Sequence, residues 1–248
     1  MKWRFISLDE GPAAMNMAID EAVLEGISKG TSPPTVRFYR WKPSAVSLGR
    51  FQRVNEVVNL AKCRELGVDV VRRITGGGAV YHDYYGEITY SVLAREKLLP
   101  GDITQSYHEI CGWIINSLTA LGLDAEFQPV NDILVDGKKI SGNAQTRRKG
   151  VVLQHGTILY DFKPEIMFAV LKITKEKISD KMIKAVEERV TSITRLTDSS
   201  FDELAHALWE GFSKGKEIYA GELDDEEISR ATELATVKYA NHEWTNLR

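Results

Sequence analysis

Three consecutive glycines, Gly76-Gly77-Gly78, follow a strand-like pair, Val70-Val71, and two arginines, Arg72 and Arg73. Glycine loses more backbone freedom on folding than any other residue, so a run of three is costly. It is justified where the chain turns sharply or where backbone N–H groups approach something closely. Beside guanidinium groups, such a run makes a cradle for a phosphate or a carboxylate. Thr75 and Ala79 flank the run, and His82 and Asp83 close the segment with titratable groups. A glycine-rich hairpin with surface arginines explains the composition equally well. The segment contains neither Gly-x-Gly-x-x-Gly nor Gly-x-x-x-x-Gly-Lys-Ser/Thr, so any nucleotide here is held in another way.

A second stretch carries polar groups that a core hairpin does not need. Asp136-Gly137 lies between alternating apolar runs, a strong hairpin signal that sets Asp132 on one arm and Lys139 on the other. Ser141, Gly142 and His155 follow on the same side of the turn. Read from the residues alone, Lys138 and Lys139 are equally well explained as solvated hairpin lysines.

Around these stretches the pattern predicts strands at 3–8, 35–41, 45–49, 68–72, 87–93, 125–127 and 151–160. Helices are expected over 16–28, over a short segment from Asn55 that includes Cys63 and Leu66, over 105–121 with Thr104 as its cap, and over 165–171. Lysine-rich 172–184 is expected to be solvated. Ser200 caps a helix whose Phe201, Leu204, Leu208 and Phe212 share a face, and 224–240 reads as an acidic helix. The hairpins favour a mixed, largely antiparallel sheet flanked by helices, an α/β fold. A net charge of -3 supplies no general attraction to nucleic acid or to an acidic membrane surface. Two cysteines far apart in sequence, Cys63 and Cys111, make no disulfide scaffold. Charges interrupt the N-terminus too early for a signal peptide and no stretch approaches a membrane span, so the expected compartment is cytoplasmic.

Taken together, Arg72-Arg-Ile-Thr-Gly-Gly-Gly-Ala-Val-Tyr-His-Asp83, Asn131-Asp132, Lys138-Lys-Ile-Ser-Gly-Asn-Ala144 and His155-Gly-Thr157 resemble the lipoate–protein ligase family, within the biotin and lipoate ligase fold. The resemblance covers nearly the whole chain. It implies one catalytic domain over 1–248, with terminal helices from about 200 and no separate accessory domain. The implied reaction activates lipoate with ATP and Mg²⁺ to an acyl-adenylate. The lipoyl group then passes to a lysine on the lipoyl domain of a 2-oxoacid dehydrogenase or a glycine-cleavage carrier protein. The likeness is to the archaeal two-component type, in which a separate small accessory subunit completes the enzyme.

On that resemblance Lys139 is the catalytic candidate, a point charge able to follow an oxygen from carboxylate to acyl-phosphate. Arg73, ahead of Arg72, and the N–H groups of Gly76, Gly77, Gly78 and Ala79 are expected to bind phosphate or carboxylate. Asn131 is expected at ribose or phosphate, Asp132 at Mg²⁺, and Thr75, His82, Ser141, Gly142, Ala144 and His155 in the substrate pocket. Phe38, Val46, Val80 and Tyr81 are expected to wall the acyl tunnel. Two positions depart from the family: Val130 stands where arginine is frequent, and Glu87 where asparagine or aspartate is. The alternatives are an octanoyl or lipoyl transferase drawing on an acyl-carrier protein, and an acyl- or nucleotide-binding protein without ligase activity. Such transferases use a cysteine thiolate. Here 126–132 holds no cysteine and Cys111 sits within a helix pattern, which favours ATP-dependent ligation.

Overall fold

Strand alternation sorts the aromatics of Thr35–Trp41 onto two faces. Val36 and Phe38 enter one core, whereas Tyr39 and Trp41 enter another on the opposite side of the sheet. The structure, a computed structural model, describes residues 1–99, 101–172 and 180–247.

The chain begins β1 (Trp3–Gly11), α1 (Ala13–Lys29), β2 (Thr35–Trp41), β3 (Ala45–Leu48), α2 (Val54–Val57) and α3 (Leu60–Leu66). It continues β4 (Asp69–Arg72), β5 (Val80–His82), β6 (Glu87–Arg95), α4 (Ile103–Ala120), β7 (Ala125–Gln128), β8 (Asp132–Val135), β9 (Lys138–Arg148) and β10 (Val151–Leu159). The last part is α5 (Pro164–Val170), α6 (Asp180–Glu187), α7 (Ile193–Leu196), α8 (Phe201–Ser213), β11 (Ile218–Ala220), α9 (Asp225–Leu234) and α10 (His242–Thr245).

Eight strands form one sheet in the order β11-β1-β2-β6-β10-β9-β8-β7, and three form a second in the order β4-β3-β5. The β11–β1 and β1–β2 pairs are parallel. From β2 onward every neighbour in the large sheet is antiparallel. The fold is therefore the mixed, largely antiparallel α/β architecture expected. Helices α4 and α8 cover one face, where Phe38, Tyr90 and Trp113 gather around Phe212. Truncating Phe212 to alanine would cost about 3–5 kcal/mol by the usual large-to-small penalty. Gly211 explains how α8 comes so close: a Cβ there would lie 2.5 Å from the Trp113 carbonyl oxygen. Helices α1 and α9 cover the other face through Met17, Leu24, Ala231 and Leu234. A buried Arg4–Glu227 pair, with contacts of 2.6 Å, ties α9 back to β1.

Several boundaries differ from expectation. Asp102, not Thr104, caps α4, because its carboxylate accepts from the Gln105 N–H at 2.7 Å. The segment after Asn55 is two helices, since Val58 is extended and Asn59 caps a new start. The acidic terminal helix is regular only to Leu234; it loosens to a π turn over Ala235–Tyr239 and re-forms as α10. Most of the lysine-rich 172–184 lies outside the described residues.

Candidate active site

The two arginines before the glycine run point inward, against carbonyls. Arg72 is fully buried and donates to the carbonyl oxygens of Gly49, Arg50 and Gln52, and to those of Trp244 and Thr245 in α10. Trp244 returns the bond, its indole N–H donating to the Arg72 carbonyl at 2.8 Å. Arg73 donates to Thr75 Oγ1, to the Ser47 carbonyl and hydroxyl, and to the carbonyls of Gly76 and Gly78 at 2.7 Å each. Burial lowers its pKa to about 10, so it stays charged at neutral pH. Arg73 thus holds the glycine loop in shape, and Arg72 ties the neighbouring 49–52 turn to α10. A Cβ on Gly49 would lie 2.0 Å from the Gly77 carbonyl oxygen, so the loop packs on bare backbone. Gly76 and Gly78 have open space on the side where a Cβ would stand.

Two buried histidines are each held between a hydroxyl and a carboxylate. His155 Nε2 is 2.7 Å from Thr75 Oγ1, and its Nδ1 is 3.3 Å from Asp20 Oδ2. Burial pushes the His155 pKa below the usual imidazole value, with Asp20 opposing. His82 Nε2 is 2.8 Å from Ser47 Oγ, and its Nδ1 is 2.7 Å from Glu87 Oε1. Trp41 stacks on the His82 ring, with centroids 4.1 Å apart.

The β8–β9 hairpin turns on Asp136 and Gly137, both at positive φ, which is why an Asp-Gly pair is needed there. It sets Lys139 Nζ 2.7 Å from Asp132 Oδ1. Gly142 pairs with Asp132 across the strands, and a Cβ there would meet Lys139 Cε and Nζ at 2.8 Å. The glycine leaves the channel along which the lysine reaches the aspartate. The Lys139 backbone is pinned by the Arg189 carbonyl and the Thr191 N–H, laying Val190 beside it. Asn131 Nδ2 donates to the Asn143 carbonyl, and Asn143 Nδ2 returns a bond to the Asn131 carbonyl at 2.9 Å.

These parts enclose one cavity of about 350 Å³. Arg73, Gly77, Gly78, Ala79, His82, Asn131, Lys139, Ser141, Gly142, Ala144 and His155 line it. Arg72, Thr75, Gly76 and Asp132 are not part of that lining. Of the expected tunnel wall, Val80 and Tyr81 line the cavity. Phe38 and Val46 do not, because alternation turns them into two different cores. Met17, Tyr39, Trp41, Leu159, Phe162 and Met167 supply the apolar wall instead. Ser47, Glu87 and Asn143 also line it. Asn143 lies within the lysine-serine-glycine run and was findable there; Ser47 sits in an ordinary alternating strand and carries no signal.

Cys63 and Cys111 are free, buried and off the cavity lining. Burial pushes the Cys111 thiol up to about 12, and Cys63 is raised for the same reason. Neither is a thiolate at neutral pH. Among the described residues no group of three or more His, Cys, Asp or Glu is placed to hold a metal ion, and no helix is long and apolar enough to cross a membrane.

Residues 12–213 match the lipoyl protein ligase A/B catalytic domain. Octanoyltransferase LipM of Brevibacillus brevis is 37% identical over 276 aligned positions, covering 100% of this chain and 99% of that protein. Among solved structures, one from an archaeal lipoylation system, with a bi-partite lipoate protein ligase of Thermoplasma acidophilum, superposes with a TM-score of 0.90 at 37% identity, covering 100% and 98% of the two chains. Lipoate-protein ligase A bound with ATP superposes with a TM-score of 0.86 at 34% identity, covering 99% and 98%.

The octanoyltransferase relatives correct one expectation. The resemblance to lipoate–protein ligases implies ATP-dependent ligation through an acyl-adenylate, and the missing cysteine favours it, yet the curated full-length relatives are named octanoyltransferases. The missing thiol says which nucleophile is not used; it does not say how the acyl group is activated. A thioester donor arrives activated already, so the inference to ATP does not hold.

Proposed function

The chain belongs to the lipoyl protein ligase A/B catalytic-domain family, and from that premise we propose that it transfers an octanoyl-class acyl group from a carrier-protein thioester to a lysine of a lipoyl domain. The observation that carries this is the cavity itself: an apolar wall of Met17, Trp41, Phe162 and Met167 facing a polar rim of Lys139, His82 and Asn131. The wall takes the alkyl chain, each buried methylene contributing roughly 0.8 kcal/mol. The rim meets the reacting carbonyl.

Lys139 is the electrostatic residue of this reading. Its ammonium lines the cavity and is held by Asp132 at 2.7 Å, so it faces the developing oxyanion without reorganising. The glycine loop, stiffened by Arg73, forms the opposite wall. Because no cysteine lines the cavity, the acyl group passes directly from thioester to amine.

The test is intact mass of an apo lipoyl domain incubated with this protein and octanoyl-acyl-carrier protein, without nucleotide. Octanoylation in that tube is the expected result. Modification only with free octanoate and Mg²⁺-ATP, and none from the thioester, would overturn the reading.

A further inference from the structure

Acylation of a lysine has a requirement that the rim lysine does not meet. The acceptor arrives as an ammonium and must lose a proton before it can attack. Lys139 is a cation already paired with Asp132, so another group has to accept that proton.

Both buried histidines have the hydrogen-bond pattern of a proton relay. They differ in access. In the Thr75–His155–Asp20 arrangement, Thr75 and Asp20 do not line the cavity. Both Asp20 oxygens are taken, Oδ1 by Arg37 and Oδ2 by Ser91 as well as His155. In the Ser47–His82–Glu87 arrangement all three residues line the cavity. Glu87 Oε1 accepts from His82 and from Thr89, while Glu87 Oε2, although buried, has no hydrogen-bond partner among the described residues. An unpartnered carboxylate oxygen at a cavity wall marks a place for a donor that the protein itself does not supply.

Bonding also assigns the protons. Glu87 accepts, so His82 Nδ1 carries the hydrogen and Nε2 is left as the acceptor. Arg73 Nη1 donates to Ser47 Oγ at 3.1 Å, so the single hydroxyl hydrogen of Ser47 turns towards His82 Nε2 at 2.8 Å. Trp41, stacked on the ring, fixes its plane, and its indole N–H holds Thr89 against Glu87.

We infer that Ser47, His82 and Glu87 form the proton acceptor for the incoming carrier lysine, the unpartnered Glu87 oxygen drawing the ammonium to this wall of the cavity and Ser47 taking its proton. The inference rests on the thioester-to-lysine reading above. The ammonium gives one proton to Ser47 Oγ as the Ser47 hydrogen passes to His82 Nε2. The neutral amine adds to the thioester carbonyl carbon, the C–N bond forms and the C–S bond breaks. The second amine proton leaves with the sulfur as a thiol, and the proton on His82 returns to solvent after product leaves. Glu87 holds the imidazolium formed in between.

The test uses two acceptors that differ in one property. A lipoyl-domain lysine must be deprotonated, whereas hydroxylamine is already neutral at neutral pH. Glu87→Gln is expected to slow octanoylation of the lipoyl domain by about 100-fold, the lower end of general-base effects. Hydroxamate formation, measured above the uncatalysed rate, is expected to stay within about twofold of wild type, as it needs no base. Ser47→Ala is expected to show the same split and removes only one hydroxyl, so it serves if Glu87→Gln shows no cooperative melt. Equal losses with both acceptors, or no loss with either, would overturn the inference. A wild-type protein that acylates neither acceptor from the thioester would instead sink the acyl-transfer reading, and this inference with it.

Discussion

The two walls of the cavity are charged in opposite styles. On the glycine-loop side, Arg72 and Arg73 are nearly inaccessible and spend their N–H groups on backbone carbonyls. On the hairpin side, the Lys139 and Asp132 side chains keep 40% and 32% of their exposure. The first pair fixes shape; the second presents charge to whatever enters. A basic residue in a motif thus says nothing by itself about whether its charge faces a ligand or its own main chain.

The comparison breaks if the arginines prove to be ligand groups or the lysine a strut. Arg72→Met is the largest test. It strands at least five carbonyl oxygens that the guanidinium now satisfies, so a loss of about 3–5 kcal/mol in unfolding free energy is expected by urea titration. A change below about 0.5 kcal/mol, the usual range for surface sites, would contradict the strut role. Lys139→Ala should do the reverse. The expected loss is about 100- to 1000-fold in acyl transfer, in line with removing one oxyanion-stabilising group. Its melting curve should stay close to wild type, because an ion pair this exposed contributes little.

The smallest effect concerns His155, which lines the cavity and bonds to Thr75. Its folded pKa is held below the ordinary imidazole value, chiefly by burial. The folded protein therefore binds this proton less readily than the unfolded chain. The stability linked to it is present above the unfolded pKa and is lost as the pH falls from there towards the folded one. Urea titrations at about pH 7.5 and about pH 5.5 should show a decline in the wild type that is shallower in His155→Gln. Equal declines would place the acid sensitivity elsewhere.

Legibility in the sequence followed the range of the signal. The β8–β9 hairpin could be read because Asp136-Gly137 meets a local requirement for positive φ, and the arms then set Lys139 opposite Asp132. The Ser200 cap could be read for a like reason, since its box with Glu203 closes within one turn. Roles that depend on distant main chain could not. Arg72 meets carbonyls 172 and 173 positions away, and no pattern around it announces them. The tunnel wall failed on parity: Phe38 and Tyr39 are neighbours of similar character, and only the packing of α1 and α8 decides which faces the cavity. Glu87 was visible as a departure from the family, but its use depends on His82 and Ser47 being brought together by the β3–β5 pairing.

The bond between Arg72 and α10 has a consequence in time. A ribosome delivers residues 49–78 long before 242–247, so Arg72 emerges still lacking two of its acceptors. Until Trp244 and Thr245 arrive, the nascent chain carries an unfinished wall. A chain stalled short of Trp244 would hold all of its sheet strands, with Arg72 still short of these two bonds.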